Sequence, residues 1–233
     1  MLKSSSDFSP VFVLVVIAFL GCNKEKPQGA DAKSGVEVPA KPAATSSIAP
    51  KTGTSQPAFD ISLEGYKATK LGAAIYSGSL EKFTGLVEQG APIDQCLTDD
   101  TYVFEALYAA IAFGKKNLVE HILKNKLYSD INKVYSEDSE TPLTLACALE
   151  NKADGLEISK LLISNGANVD GAGDSGGEGT KAPLFIAVKQ NNVELVRLLI
   201  EKGSKKDITN SAGASPLTRA EESEFSEIVN LLK

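Results

Sequence analysis

One feature limits what this chain can fold into: a pair of short amphipathic helices, written five times. The clearest copy is Ala182 to Lys206, APLFIAVKQNNVELVRLLIEKGSKK. Pro183 suits the first helical position, where a missing N–H costs nothing, and Leu184, Ile186, Ala187 and Val188 give the first helix an apolar side. Asn191 and Asn192 break it. Leu195, Val196, Leu198, Leu199 and Ile200 then recur at helical spacing, and Gly203 stands where a helix ends in a left-handed residue. Two such helices cannot bury this much apolar surface alone, so neighbouring copies must cover it. Those copies run from Thr69 to Asp94, Glu105 to Lys126, Thr141 to Asp170 and Ser215 to Lys233. Their matching leucines, Leu71, Leu107, Leu143, Leu184 and Leu217, are 36, 36, 41 and 33 residues apart.

The copies share their beginnings and ends. Thr141-Pro142 and Ser215-Pro216 each put a hydroxyl at the N-cap and proline just inside it. Thr69-Lys70 keeps the cap, Ala182-Pro183 keeps the proline, and Glu105-Ala106 keeps neither. Small residues at Ala73-Ala74, Ala109-Ala110 and Ala146-Cys147 fall where helix layers must approach closely. This pattern, with its T-P-L opening and LL-x-x-G-A ending, resembles the ankyrin repeat over roughly residues 66 to 233. The resemblance implies an all-α solenoid of five helix-turn-helix repeats joined by hairpins. Gly85 sits mid-helix where the family has leucine, costing about 1 kcal/mol relative to alanine. Glu221, Glu222, Glu224 and Glu227 make the last helix pair polar, as a terminal repeat with one face in water should be.

Between Leu143 and Leu184 the period is eight residues too long against the 33 that follow. About four extra residues are expected in a loop near Glu150 to Ala153, and four more in GAGDSGGEGT, Gly171 to Thr180. Within that segment Gly173 to Gly177 spell GDSGG, which resembles the surroundings of the nucleophile of chymotrypsin-like serine proteases. Hydrolysis through Ser175 is the alternative from a different functional class. It would need an imidazole base, and the only histidine, His121, stands at an apolar position of a second helix, where it should face a helix layer. A phosphate-loop reading fails as well, because no G-K-[ST] follows the last glycine.

Charge and cysteine content exclude further classes. A formal net charge of −6 is wrong for a nucleic-acid binder, which needs a basic face. Three cysteines, Cys22, Cys96 and Cys147, provide neither a disulfide framework nor a paired zinc motif, and no metal site, cofactor or small-molecule substrate is indicated. Cys147 takes an inward alanine position and reads as an inert buried thiol. Cys96 lies about two repeat layers away, roughly 20 Å, too far for a bridge.

The first residues read as an address. Val11 to Gly21 is an apolar run of eleven residues, short of the roughly 20 that span a bilayer. Its FLGC ending, Phe19 to Cys22, resembles the bacterial lipoprotein processing site, which implies a signal peptide over 1–21 and a lipidated Cys22. Residues 23 to 58, rich in Pro, Ala, Ser, Thr and Lys, read as a disordered tether, so that the lipidated cysteine and tether occupy 22–58 and the repeat domain 59–233. That layout implies a repeat domain outside the cytoplasm, anchored to the inner or outer membrane of a bacterial envelope and held in the periplasm.

The resemblance also implies where a partner protein would bind: on the hairpin tips and the residues ending each first helix. Here those are Tyr66, Tyr76 and Ser77; Thr101, Tyr102, Phe104 and Phe113; Glu137, Asp138, Glu140 and Leu149; Lys189 and Gln190. The first half is aromatic and the middle acidic, and exposed Tyr and Phe suit a binding hot spot. Non-covalent binding of another protein, as scaffold, protector or toxin-immunity factor, is the expected role, and catalysis is not.

Overall fold

A computed structural model describes residues 58–63, 65–135, 140–172, 182–209 and 213–233. The expected signal peptide, Cys22, nearly all of the tether, Glu137, Asp138 and the GDSGG segment with Ser175 lie outside these described residues. Among the described residues ten helices form five consecutive pairs, as the repeat spacing predicts. The first helices are α1 (Lys70–Tyr76), α3 (Ala106–Ala112), α5 (Pro142–Cys147), α7 (Pro183–Lys189) and α9 (Pro216–Glu222). The second helices are α2 (Leu80–Glu88), α4 (Lys116–Lys124), α6 (Lys152–Ser164), α8 (Val193–Glu201) and α10 (Ser226–Leu232). Each first helix packs on the second helix of its own pair and on the first helices before and after it, which makes two rows along the stack.

Caps set the helix starts. The Thr69 hydroxyl accepts from the Gly72 N–H, that of Ser215 from the Thr218 N–H, and Thr141 forms a reciprocal capping box with Thr144. Second helices use the same device, with Ser79 accepting from the Lys82 N–H and Asn192 from the Leu195 N–H. Gly203 adopts φ +88°, the left-handed conformation expected at that helix end.

A continuous apolar core runs through the stack. Leu71, Leu107, Leu143 and Leu184, four of the five repeat-marking leucines, are buried, and Leu217 in the terminal repeat is partly so. Each fully buried leucine stabilises the fold by about 1.5–3 kcal/mol. His121 takes its place among the second helices, edge-on to Phe83 of α2 at 5.9 Å.

Two expectations need correction. The four extra residues near Glu150 do not lengthen a loop. They extend α6 to 13 residues, where α2, α4 and α8 have 9 each. Asn151 caps this longer helix, its side chain accepting from the Ala153 and Asp154 N–H groups. The fold is also not purely helical at its N-terminal end. β1 (Ile61–Leu63), β2 (Tyr66–Ala68), β3 (Leu97–Thr98) and β4 (Val103–Phe104) form one antiparallel sheet in that order, with Ala68 opposite Leu97 and Leu97 opposite Phe104. The first two hairpins thus join edge to edge. Gly72 makes the junction possible: the Thr69 N–H holds the Cys96 carbonyl at 3.0 Å, and a Cβ on Gly72 would lie 2.2 Å from that oxygen.

Candidate functional site

The joined hairpins and the ends of α1 and α3 bring seven aromatic rings into one network. At its floor Phe104 stacks on Tyr108 with centroids 4.3 Å apart, and Tyr108 meets Tyr135 edge-on at 4.8 Å. All three are buried. Above them Tyr66 meets Phe104 at 6.0 Å and Phe113 at 6.4 Å, Phe113 meets Tyr76 at 5.0 Å, and Tyr102 lies 6.4 Å from Phe104. These four upper rings are half-buried. Aromatic pairs at such separations each add about 0.5–1.5 kcal/mol beyond their burial, so the shelf is rigid before anything touches it. Strand alternation aims it: Tyr66 and Ala68 turn toward the packed side, while Lys67 between them turns out and pairs with Asp100 at 2.7 Å.

Carboxylates border the rings. Asp99 fixes the β3–β4 turn by accepting from the Thr101 and Tyr102 N–H groups at 2.9 and 2.7 Å. Tyr108 donates its hydroxyl to Glu140 at 3.3 Å. Burial, then Glu140 and Asp99, push the Tyr66 hydroxyl up to about 12, against a side-chain hydrogen bond with Tyr108 that lowers it. The Tyr108 hydroxyl is likewise held well above its ordinary value, by burial first and then by Glu140.

Glu105, which lacks a capping role as expected, has another one. Its carboxylate is 2% exposed and gathers the segment after α4. Tyr135 donates its hydroxyl to Oε1, Ser129 donates its hydroxyl to Oε2 at 2.8 Å, and Lys133 lies 3.7 Å from Oε2. Lys133 also sits 5.3 Å over the Tyr135 ring. Burial, then Glu105, raise the Tyr135 hydroxyl far above its usual range. The sequence offered only a missing cap at this position, with no sign of what the acid would hold. Tyr108 and Tyr135 were not among the expected surface residues because they form its floor.

Of the thirteen expected binding positions, the structure gathers Tyr66, Tyr76, Tyr102, Phe104, Phe113 and Glu140 around this shelf. Phe104 needs correction, since it is 4% exposed and supports the shelf from beneath instead of presenting a face. Leu149 needs it too. Helix α5 ends at Cys147, so Leu149 falls beyond the helix and is buried in the turn. Thr101 is exposed at the hairpin tip, and Ser77 is exposed with its hydroxyl donated to the Ala74 carbonyl at 2.9 Å. Lys189 is exposed at the end of α7 in the fourth repeat, where Gln190 donates to the Ala148 carbonyl at 3.2 Å.

The two thiols of the repeats are free and buried. Burial pushes Cys147 up to about 12, against a contact with Ser159, and raises Cys96 further. Among the described residues no group of His, Cys, Asp or Glu could hold a metal ion, and no helix is long and apolar enough to cross a membrane.

Residues 153–233 match the family model for ankyrin repeats (3 copies). Over 167 residues, 72% of this chain, the sequence is 30% identical to the ankyrin repeat and KH domain-containing protein mask-1 of Caenorhabditis elegans. It is 30% identical over 127 residues to ankyrin repeat domain-containing protein 63 of Mus musculus, and 29% over 121 residues to ankyrin repeat and SOCS box protein 11 of Homo sapiens. Those matches span 54% and 52% of this chain. The aligned stretches make up 6%, 30% and 34% of the three relatives, so the chain spans about a third or less of their length. The match to ankyrin repeats covers residues 153–233, and the helix pairs described above fit an all-α repeat solenoid.

Proposed function

We propose that this ankyrin-repeat stack is a non-catalytic module that binds another protein through the aromatic shelf of its first two repeats, held at a bacterial membrane by a lipid on Cys22. One observation carries the binding reading: Tyr66, Tyr76 and Phe113 are half-exposed yet held by edge-on contacts with one another and with Phe104 of the buried floor, and half-exposed Tyr102 lies tilted against the same Phe104. Large rings already ordered lose little entropy on contact, which is what makes aromatic residues dominate interfaces. The anchor reading rests on the eleven-residue apolar run ending at Gly21-Cys22. Together they describe a scaffold, protector or immunity factor working in the periplasm.

The binding test uses the full-length chain with a C-terminal tag, crosslinked in cells and purified beside a Tyr76→Ala/Tyr102→Ala variant. One stoichiometric partner should appear with the wild type and vanish with the variant, while both give the same helical circular dichroism. Equal capture by the two proteins would remove the shelf from consideration. For the anchor, an alkyne-palmitate label should enter the wild-type chain and be absent from Cys22→Ser. An unlabelled wild type would make the segment an ordinary secretion signal.

A further inference from the structure

The tether carries more pattern than a spacer needs. Val36, Pro39 and Pro42 recur at every third residue of the stretch VEVPAKP. Three residues make one turn of a polyproline-II helix, about 9 Å long, so these side chains would fall along one edge of it. Residues 1–57 lie outside the described residues, and the described chain starts at Ala58, three residues before β1. β1 pairs Ile61 with Ala68 and Leu63 with Tyr66, so the tether enters the domain beside the strand that carries the first ring of the shelf. Between Pro42 and Ala58 stand 15 residues, chain enough to span about 20 Å even when coiled. Charge favours the approach as well. Residues 23–58 hold five lysines against Glu25, Asp31 and Glu37, and residues 1–22 are neutral, so a net −6 over the whole chain puts −8 on residues 59–233.

We infer that the segment from Val36 to Pro42 docks on the aromatic shelf of its own domain, laying Pro39 and Pro42 against Tyr66, Tyr76, Tyr102 and Phe113. The inference rests on the shelf being a binding surface and names what occupies it before a partner arrives. Aromatic-lined grooves bind polyproline-II segments because rings pack on the flat proline faces and the segment has little entropy left to lose. Tyr66 and Tyr76 both meet Phe113, at 6.4 and 5.0 Å, so prolines one turn apart find neighbouring rings. Attachment makes a weak contact sufficient. A segment tethered this closely acts at an effective concentration in the millimolar range, so a Kd of about 0.2 mM leaves the shelf mostly occupied. A partner must displace it. With Cys22 lipidated, the docked segment also keeps the domain close to the membrane, on the 13 residues from 23 to 35, until the partner does so.

NMR of the full-length chain with carbon-13 in its tyrosine rings tests this, wild type against Pro39→Ala/Pro42→Ala. The substitutions lie outside the repeats, so they should shift the signals of Tyr66, Tyr76 and Tyr102 and leave those of Tyr128, which belongs to none of the ring pairs of the shelf. A synthetic peptide of residues 33–45, added to Pro39→Ala/Pro42→Ala, should return the signals to their wild-type positions. It should bind the wild type about three- to tenfold more weakly, because the attached segment competes. Tyr76→Ala/Tyr102→Ala placed in the same background should lose the peptide. Identical ring signals in wild type and Pro39→Ala/Pro42→Ala would overturn the inference, while the crosslinking comparison with Tyr76→Ala/Tyr102→Ala would still decide whether the shelf meets a partner. Unchanged peptide binding without the two tyrosines would place the segment elsewhere and overturn it too. Ring signals that change with protein concentration would make the tether of a second copy the occupant, which overturns docking within one chain.

Discussion

Replacing Glu105 with alanine should detach the segment after α4 from the stack while leaving the distant repeats intact. The carboxylate is 2% exposed and accepts from the Tyr135 hydroxyl, the Ser129 hydroxyl at 2.8 Å and, more weakly, the Ser129 N–H at 3.4 Å, with Lys133 at 3.7 Å. A hydrogen bond to a charged group is worth about 1.5–3 kcal/mol net, and removing one member of a buried ionic group costs about 3–5 kcal/mol because its partners stay behind unsatisfied. Lys133 is a third exposed and reaches water, so its share is small. Tyr135 and Ser129 carry most of the loss, which places Glu105→Ala at about 3–4 kcal/mol.

Tyr135→Phe removes one of those bonds and should cost about 1.5–3 kcal/mol. The two changes are not additive, since each deletes a partner of the other, and a double-mutant cycle should return a coupling of about 1–3 kcal/mol. Urea unfolding gives these differences. Native-state hydrogen exchange localises them, because a repeat stack opens unit by unit. Amides of 127–135 should exchange much faster in Glu105→Ala, and those of α8 should not change. A stability loss below about 0.5 kcal/mol, or faster exchange spread evenly over all repeats, would refute the idea that this carboxylate holds one segment.

Four further expectations follow from local geometry and burial. Gly85 has nothing within 4 Å of a would-be Cβ, whereas one on Gly155 would lie 2.8 Å from the Ala146 carbonyl; Gly85→Ala should therefore raise the urea midpoint by up to about 1 kcal/mol equivalent, and Gly155→Ala should lower it. Phe104→Ala should cost about 3–5 kcal/mol and disturb near-ultraviolet dichroism, while Tyr102→Ala at the rim should cost about 1 kcal/mol, a contrast that equal melting temperatures would contradict. Native Cys147 and Cys96 should resist thiol reagents at pH 8 and react on unfolding. Because the folded values of Cys147 and Tyr66 are raised from 9.0 and 10.0 to about 12, the unfolded chain ionises first, so stability should fall as pH rises from about 9 to 12. A flat profile across that window would argue against their burial.

The helix pairs were legible in the sequence because helical period and cap chemistry are local. Leu184 and Leu195 report burial through their spacing, and Thr141-Pro142 reports a helix start through two adjacent side chains. The misread insertion marks the limit of that reasoning. Four residues beyond a repeat's length can enter a loop or a helix, and spacing alone does not choose; here they lengthen α6, which Asn151 caps as Asn192 caps the shorter α8. The aromatic shelf is partly legible, since five of its seven rings, Tyr66, Tyr76, Tyr102, Phe104 and Phe113, fall at the expected binding positions. Which ring faces water is not, because it depends on hairpins from consecutive repeats pairing with each other, a contact between Ala68 and Leu97 that no local pattern encodes.

Glu105 shows why the hidden part matters for the visible part. Its carboxylate holds Tyr135, Tyr135 abuts both Phe104 and Tyr108, and those two rings carry the half-exposed ones above. An acid that looks like a defective cap is thus coupled through packed rings to the surface proposed to meet a partner. A serine or threonine at position 105 would have capped α3 better, but its short side chain could not reach the hydroxyl of a residue 30 positions later. The repeat gave up one local interaction at its own start for a longer-range one, and what the exchange secures is the order of the shelf.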